Sequence, residues 1–282
     1  MPRMRSKRMA LFAGLSLGLT MATGAARAAD PSLNLPAFAP GAASEWTVTL
    51  GAEGRVVPTF EGSDRYTVVP FPVFDLRRAG TPPTFHSAYD GFGFGVIDTG
   101  RFRLGPAFKV RLPRNESDDS DLKGLGDVNW AVEAGLFADY WVTPWLRTRA
   151  EVRQGFGGHD GIVADLTADV VVPVAPRWTL SGGPRLTLAT NAATAPYFSV
   201  TAAQSAASGL PIYNASGGVH SYGVGAQARY QWSPQWTTYV FAEYERLADG
   251  AANSPIVTQR GSANQLDVGL GVSYSFDMHA LW

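Results

Sequence analysis

The stretch LDVGLGVSYSF, Leu266 to Phe276, decides the fold. Leu266, Val268, Leu270, Val272, Tyr274 and Phe276 hold its even positions, and Asp267, Gly269, Gly271, Ser273 and Ser275 its odd ones. A period of two marks an extended strand with one apolar and one polar face. The alternation recurs from Trp46 onward. Trp46, Val48, Leu50 and Val56 alternate with Thr47, Thr49, Glu53 and Arg55, and Phe102, Leu104, Phe108, Val110 and Leu112 with Arg101, Arg103, Lys109 and Arg111. Val128, Trp130, Val132, Leu136 and Tyr140 alternate with Asp127, Asn129, Glu133 and Asp139, with Phe137 and Trp141 as exceptions on the polar side. Further runs cover 146–156, 162–172, 178–188, 222–232 and 236–244.

A soluble sandwich would also use two-faced strands, with the apolar face inward. Three features point instead to a bilayer. Many runs reach or exceed the roughly 9–11 residues that cross a membrane at a tilt, against about five or six in ordinary strands. Connections alternate between tight turns (Thr143–Trp145, Ala175–Arg177, Ser233–Gln235) and long polar segments (Leu112–Asp127, Ala189–Val219, Leu247–Gln265). Short turns face the periplasm in outer-membrane barrels, so Trp46, Phe102, Tyr140, Trp145, Trp178, Trp232, Trp236 and Phe276 form an aromatic belt at that interface.

The expected fold is therefore all-β, a closed antiparallel transmembrane β-barrel with short periplasmic turns and longer extracellular loops. Strands are expected near 45–58, 66–77, 82–88, 91–98, 101–113, 127–142, 146–156, 161–174, 178–190, 219–232, 236–249 and 265–276. That makes twelve, with ten as the alternative because 66–98 is rich in Pro and Gly. Closure removes free strand edges, which lipid does not tolerate.

Composition agrees with export and with a barrel. A net charge of −1 argues against nucleic acid as a partner, and no apolar run of about 20 residues follows the first segment, which excludes a helical membrane bundle. Arg3, Arg5, Lys7 and Arg8 precede an apolar stretch, and Ala26-Arg27-Ala28 ends it with small residues. Residues 1–28 thus read as a signal peptide cleaved after Ala28, 29–44 as a periplasmic arm with Pro31, Pro36 and Pro40, and 45–282 as the barrel. The absence of Cys excludes disulfides and thiolate chemistry. A barrel assembly signal ends at Phe276 or, continuing the parity, at Trp282; outer-membrane lipid, lipopolysaccharide and the barrel-assembly machinery are the expected partners of such a chain.

Five stretches resemble, in order, the MipA/OmpV family of MltA-interacting proteins. They are FEGSDRYTVVPFP (Phe60–Pro72), LKGLGD (Leu122–Asp127), YFSVTAAQSAASGLPIYNASGG (Tyr197–Gly218), YERLADGAANSPIV (Tyr244–Val257) and GLGVSYSF (Gly269–Phe276). The resemblance implies an outer-membrane barrel that acts as a scaffold joining a lytic transglycosylase to a bifunctional murein synthase, a penicillin-binding protein. Other members of the family are described as porins or adhesins. Phe60 stands where the family usually has Tyr, and the tail beyond Phe276 is longer than the family pattern.

No catalytic, cofactor-binding or metal-ligating set stands out. The four His are His86, His159, His220 and His279, and neither G-x-S-x-G nor H-E-x-x-H occurs. His220 and Ser221 have opposite parity and are expected on opposite faces; His159 and Asp160 with Asp118 and Asp119 read as solvated loop residues rather than as a hydrolase centre. Asn115–Asp121, NESDDSD, offers carboxylates but lacks the glycine of a calcium loop, and reads as a solvated extracellular loop whose sharper alternative is cation bridging to lipopolysaccharide. The lumen is more telling. Arg101, Arg103, Lys109 and Arg111, then Asp127, Glu133 and Asp139, then Arg147, Arg149, Glu151 and Arg153, then Asp165 and Asp169 hold odd positions on neighbouring strands. Arg or Lys facing lipid at mid-depth would cost about 2–4 kcal/mol, so these groups must point inward. Paired, they fill the barrel and make a platform; hydrated, they line a pore. A periplasmic partner is expected to meet Thr143, Pro144, Pro176 and Pro234, or the arm Ala29–Ser44.

Overall fold

The computed structural model describes residues 46–81 and 83–278. The expected signal peptide with its cleavage at Ala28, the arm 29–44, His279 and the alternative assembly signal at Trp282 lie outside the described residues.

Ten long strands of 10 to 15 residues form one antiparallel wall. They are β1 (Trp46–Pro58), β2 (Tyr66–Arg78), β5 (Phe102–Arg111), β6 (Ala131–Thr143), β7 (Leu146–Gly157), β8 (Ile162–Ala175), β9 (Trp178–Ala189), β10 (Gly218–Gln231), β11 (Trp236–Leu247) and β12 (Asn264–Met278). Two short strands, β3 (Phe92–Gly93) and β4 (Ile97–Asp98), line the outer edge of β5. The sheet curls until its two terminal regions meet, with β1 on β12 from Trp46↔Met278 to Val56↔Val268. This register puts Leu50, Val56, Val268, Leu270 and Tyr274 on the outside, where all are exposed. An apolar exterior on a hydrogen-bonded wall is what hydrocarbon requires, and the described wall meets this along its ladders from β2 through β1 and β12 to β5.

Trp145, Trp178, Trp232 and Trp236 sit exposed at the tight turns, and Tyr140 joins them, while Trp46, Phe102 and Phe276 are half-buried at the same rim. A second set of exposed aromatics, Tyr66, Trp130, Phe156, Tyr222 and Tyr244, marks the other rim. The sequence reading had placed a belt at one interface only.

The expected strand over 82–88 is not formed, and 91–98 holds only β3 and β4. Pro83 and the short polar run behind it cannot keep a ladder, and residues 84–91 instead turn off the wall and cross the lumen. Phe85 packs edge-on to Trp141 at 6.4 Å and against Val171, so the two aromatic exceptions of β6 have a reason: Trp141 and Phe137 face inward because the crossing segment and the lumenal arginines cover them. The wall is consequently not laddered all the way round. The sheet runs from β2 through β1 and β12 to β5 and β3, and no ladder joins β2 to β3 among the described residues. A seam, absent from the sequence reading, remains there.

The long extracellular segments fold together. Helices α1 (Asn191–Phe198), α2 (Ala202–Ser208), α3 (Asp249–Ala252) and α4 (Pro255–Arg260), with a 3-10 turn at Ser120–Leu122, bury two apolar clusters. One contains Val128, Tyr197, Phe198, Leu247 and Val257, and the other Phe60, Leu122, Leu125, Val200, Leu210 and Ile256. They make a cap over the barrel mouth.

Candidate functional site

The inward positions of β5 to β9 carry a continuous ionic lattice. Arg147 on β7 donates from Nη2 to Asp139 Oδ1 on β6 at 2.7 Å and to Asp90 Oδ2 on the crossing segment at 2.8 Å, and its Nη1 lies 3.5 Å from Asp169 on β8. Arg149 donates to Asp139 at 3.1 Å and to Glu151 at 2.6 Å. Arg153 donates from Nε to Glu133 at 2.9 Å and from Nη2 to Asp165 at 2.5 Å, and also pairs with Glu151. Arg185 on β9 extends the lattice by donating to Asp169 at 2.8 Å, and His159 Nε2 lies 3.0 Å from Glu133 Oε1. Arg103 and Lys109 reach it from β5, 3.8 Å from Asp139 and 3.7 Å from Asp165.

Burial decides what this arrangement is. Arg147, Arg149, Arg153, Arg185, Glu133, Asp139, Glu151, Asp165 and Asp169 each expose no more than 4% of their surface. Groups lining a wet pore would stay solvated. These are held by one another, as buried charges must be to offset desolvation. Aromatic faces cover the guanidinium planes, with Arg149 4.0 Å from the centre of Phe137 and Arg147 5.3 Å from that of Phe85.

The crossing segment is bolted into this lattice. Besides Asp90, Tyr89 Oη lies 2.7 Å from Thr187 Oγ1 and donates to Asp165 at 3.2 Å, Gly91 N donates to Glu151 Oε1 at 3.1 Å, and Ala88 N donates to Gln227 Oε1 at 3.0 Å. Gly91 fits because any Cβ would lie 2.8 Å from both Glu151 Oε2 and Phe108 O.

Two lattice assignments from sequence need correcting. Arg101 precedes β5 in the periplasmic turn, exposed, and donates to Val142 O at 3.1 Å. Asp127 precedes β6 in an extracellular loop, exposed, and accepts from Glu116 N at 2.7 Å. Alternation was extended past the true strand ends in both cases. Arg111 lies at the top of β5, where it pairs with Glu61 of the β1–β2 loop and stacks 3.8 Å from the centre of Tyr197. Arg185 and Asp90 were not found from sequence. Arg185 has the right odd parity on β9, a signal that was present, whereas Asp90 had none, lying in the connection between the strands expected at 82–88 and 91–98.

The remaining candidates have structural partners. His220 pairs with Glu61, and Ser221 donates to Glu245 Oε2 at 3.3 Å. A bulge between Val219 and Ser221 turns both His220 and Ser221 inward, which corrects the expected opposite faces, but each keeps its own carboxylate. His159 is buried, its ring tucked where a Cβ on Gly155 would sit, and so does not join Asp118 and Asp119 in a loop. In the Asn115–Asp121 segment, Glu116 accepts from Gly124 N and Gly126 N, Asp118 from Asn115, and Asp119 and Asp121 pair with Arg65. His86 lies 3.4 Å from Asp75.

The cap is held to the lumen by Glu61, clasped between Arg111 and His220. Burial alone would raise the Glu61 pKa, but those two neighbours hold its carboxyl well below the usual carboxylate range. A depressed folded pKa contributes stability that is complete above the ordinary value and is lost as pH falls through the folded one. Amide exchange in the β1–β2 loop, corrected for intrinsic rate, is therefore expected to stay flat down to about pH 5 and to rise at more acid pH, and Glu61→Gln to abolish that acid limb.

On the other side of the crossing segment the lumen keeps a chamber of about 950 Å³, bounded by Thr49, Glu53, Arg55, Tyr239, Asp267 and Ser273 and reaching the periplasmic turns at Arg177 and Pro234. The interior thus has a cap, a charged partition and a chamber.

A family profile described as MltA-interacting protein MipA matches residues 50–276. No curated protein is a significant sequence match. Among solved structures, similar folds include an outer membrane channel from Pseudomonas putida F1 (13% identity, 84% of this chain and 99% of that one, TM-score 0.43), the CymD monoaromatic hydrocarbon channel (10%, 84% and 90%, 0.39) and the KdgM porin (12%, 82% and 99%, 0.38).

Proposed function

Because the chain belongs to the MltA-interacting protein MipA family, we propose that it is a platform for peptidoglycan-remodelling enzymes rather than an open channel or a hydrolase. It is a β-barrel of the Gram-negative outer membrane. The observation that carries the platform reading is the buried lattice: mutually neutralised, buried charges brace the β5–β9 side of the lumen against deformation, and the cap lies over the chamber beside them. The partners that fit are a lytic transglycosylase and a penicillin-binding protein, met at the periplasmic rim around Thr143, Pro144, Pro176 and Pro234 or through the arm 29–44. The chamber supports a second reading, passage of small solutes, but it lies beneath the cap.

Tagged mature protein in solubilised envelopes is expected to enrich a lytic transglycosylase over an unrelated barrel of similar size, and deletion of 29–44 to reduce that enrichment more than Pro144→Ala or Pro234→Ala does. Recovery no better than the unrelated barrel would refute the platform.

A further inference from the structure

The seam between β2 and β5 carries an inference that does not depend on the platform reading. β2 pairs with β1 along its whole length and with nothing on its other edge among the described residues. β5 is covered on that side only up to Phe108, by β3 and β4, so among the described residues Lys109, Val110 and Arg111 have no ladder partner toward β2. The gap therefore lies in the extracellular half of the wall. It ends below at three phenylalanines, Phe74, Phe92 and Phe108, whose ring centres are 5.4 and 6.3 Å apart in turn.

β2 has Pro70 and Pro72 two residues apart within its ladder to β1. Proline has no N–H, and it is tolerated within a sheet where its nitrogen points to an edge. Both lack the donor that a neighbouring strand would need. The edge is thus unsuited to ladder formation, whether with β5 or with a second copy of the chain.

The chamber continues through the gap. The same cavity is lined by lumenal Glu53, Arg55 and Asp267, by Pro70 and Pro72 on one lip, and by Phe108 and Val110 on the other. Val110 and the adjoining Val132 and Trp130, all more than half or half exposed on the outer surface, stand where the barrel meets hydrocarbon. Behind the lips Arg55 lies between the rings of Phe71 and Phe241, 4.9 and 5.0 Å from their centres, with both its carboxylate partners on the lumen side. Apolar lips with a polar interior suit a molecule with a hydrocarbon tail and a hydrated end.

We infer that this seam is a lateral portal, and that its occupant is the hydrocarbon tail of a bilayer lipid reaching from the membrane into the lumenal chamber. Open sheet edges are excluded from hydrocarbon unless covered, and the proline lip with its phenylalanine sill reduces the exposed backbone that the tail would meet.

The chain has no Cys, so single labels are specific. Val73→Cys places a small bimane on the chamber side of the seam, and Ser181→Cys places one in the same chamber behind an intact wall. In vesicles of phosphatidylcholine with brominated acyl chains, quenching at Val73 is expected to exceed that at Ser181 by about twofold or more, because a laddered wall keeps acyl chains out of the lumen. Equal quenching at the two sites in heat-modifiable, folded protein would overturn the portal. Should V73C fail to fold, Phe71→Cys, on the same lip, gives the same comparison. Stronger quenching by aqueous iodide than by bromolipid at the seam site would also overturn it, since water and not lipid would then fill the gap.

Discussion

Replacing Arg147 by methionine is expected to lower the unfolding free energy of the folded barrel by about 3–5 kcal/mol, the usual cost of removing one partner from a buried charge cluster. Arg147 is 1% exposed and touches Asp139, Asp90 and Asp169, so its loss leaves three carboxylates short of a partner at once. Asp169 keeps Arg185 and Asp139 keeps Arg149, but among the described residues Asp90 retains as its only cation Arg149 at 3.8 Å, beside the Ser87 N–H at 3.0 Å. The crossing segment should therefore loosen first, visible as protease cleavage near Ser87–Asp90 before the wall unfolds in urea. Adding Asp139→Leu to Arg147→Met is expected to restore part of the loss, because two apolar groups replace a pair that had to be desolvated. Arg101→Ala is the matched control: exposed in its turn, it should stay within about 0.5 kcal/mol of wild type. If R147M and R101A denature together, the lattice does not hold the barrel.

The second large effect is electrical. In planar bilayers the intact protein is expected to show no sustained conductance steps, and a variant with 191–216 replaced by a short Gly-Ser link is expected to show them. That segment contains α1 and α2 and contributes Phe198, Val200 and Leu210 to the two apolar clusters of the cap. Its removal exposes the chamber from above while leaving the ladders of β9 and β10 intact. Steps in the intact protein would favour solute passage over a platform; silence in the truncated one would mean that the charged partition and crossing segment close the lumen on their own.

The barrel was legible because alternation over ten strands is a strong signal, and because inward charge has no alternative at mid-membrane. Leu266 to Phe276 led to β12 with the right face outward. Arg147 and Asp169 could be placed opposite each other from parity, and they pair in the register. What parity could not supply was the end of each strand, hence Arg101 and Asp127, or a segment that leaves the sheet, hence Phe85 to Gly91. A short proline-bounded run such as PTFHSA contains too few residues for a period of two to be distinguished from chance. Nor did alternation hint that four of the five family-like stretches would converge on the cap, since Phe60, Leu122, Val200 and Ile256 meet there from distant positions.

The crossing of the lumen by residues 84–91 also constrains the order of biogenesis. The wall is joined at β1 and β12, two segments at opposite ends of the chain. The strap touches Arg55 of β1, Glu151 of β7, Asp165 of β8, Thr187 of β9 and Gln227 of β10, so its seat is complete only once strands far apart in the chain have gathered around it.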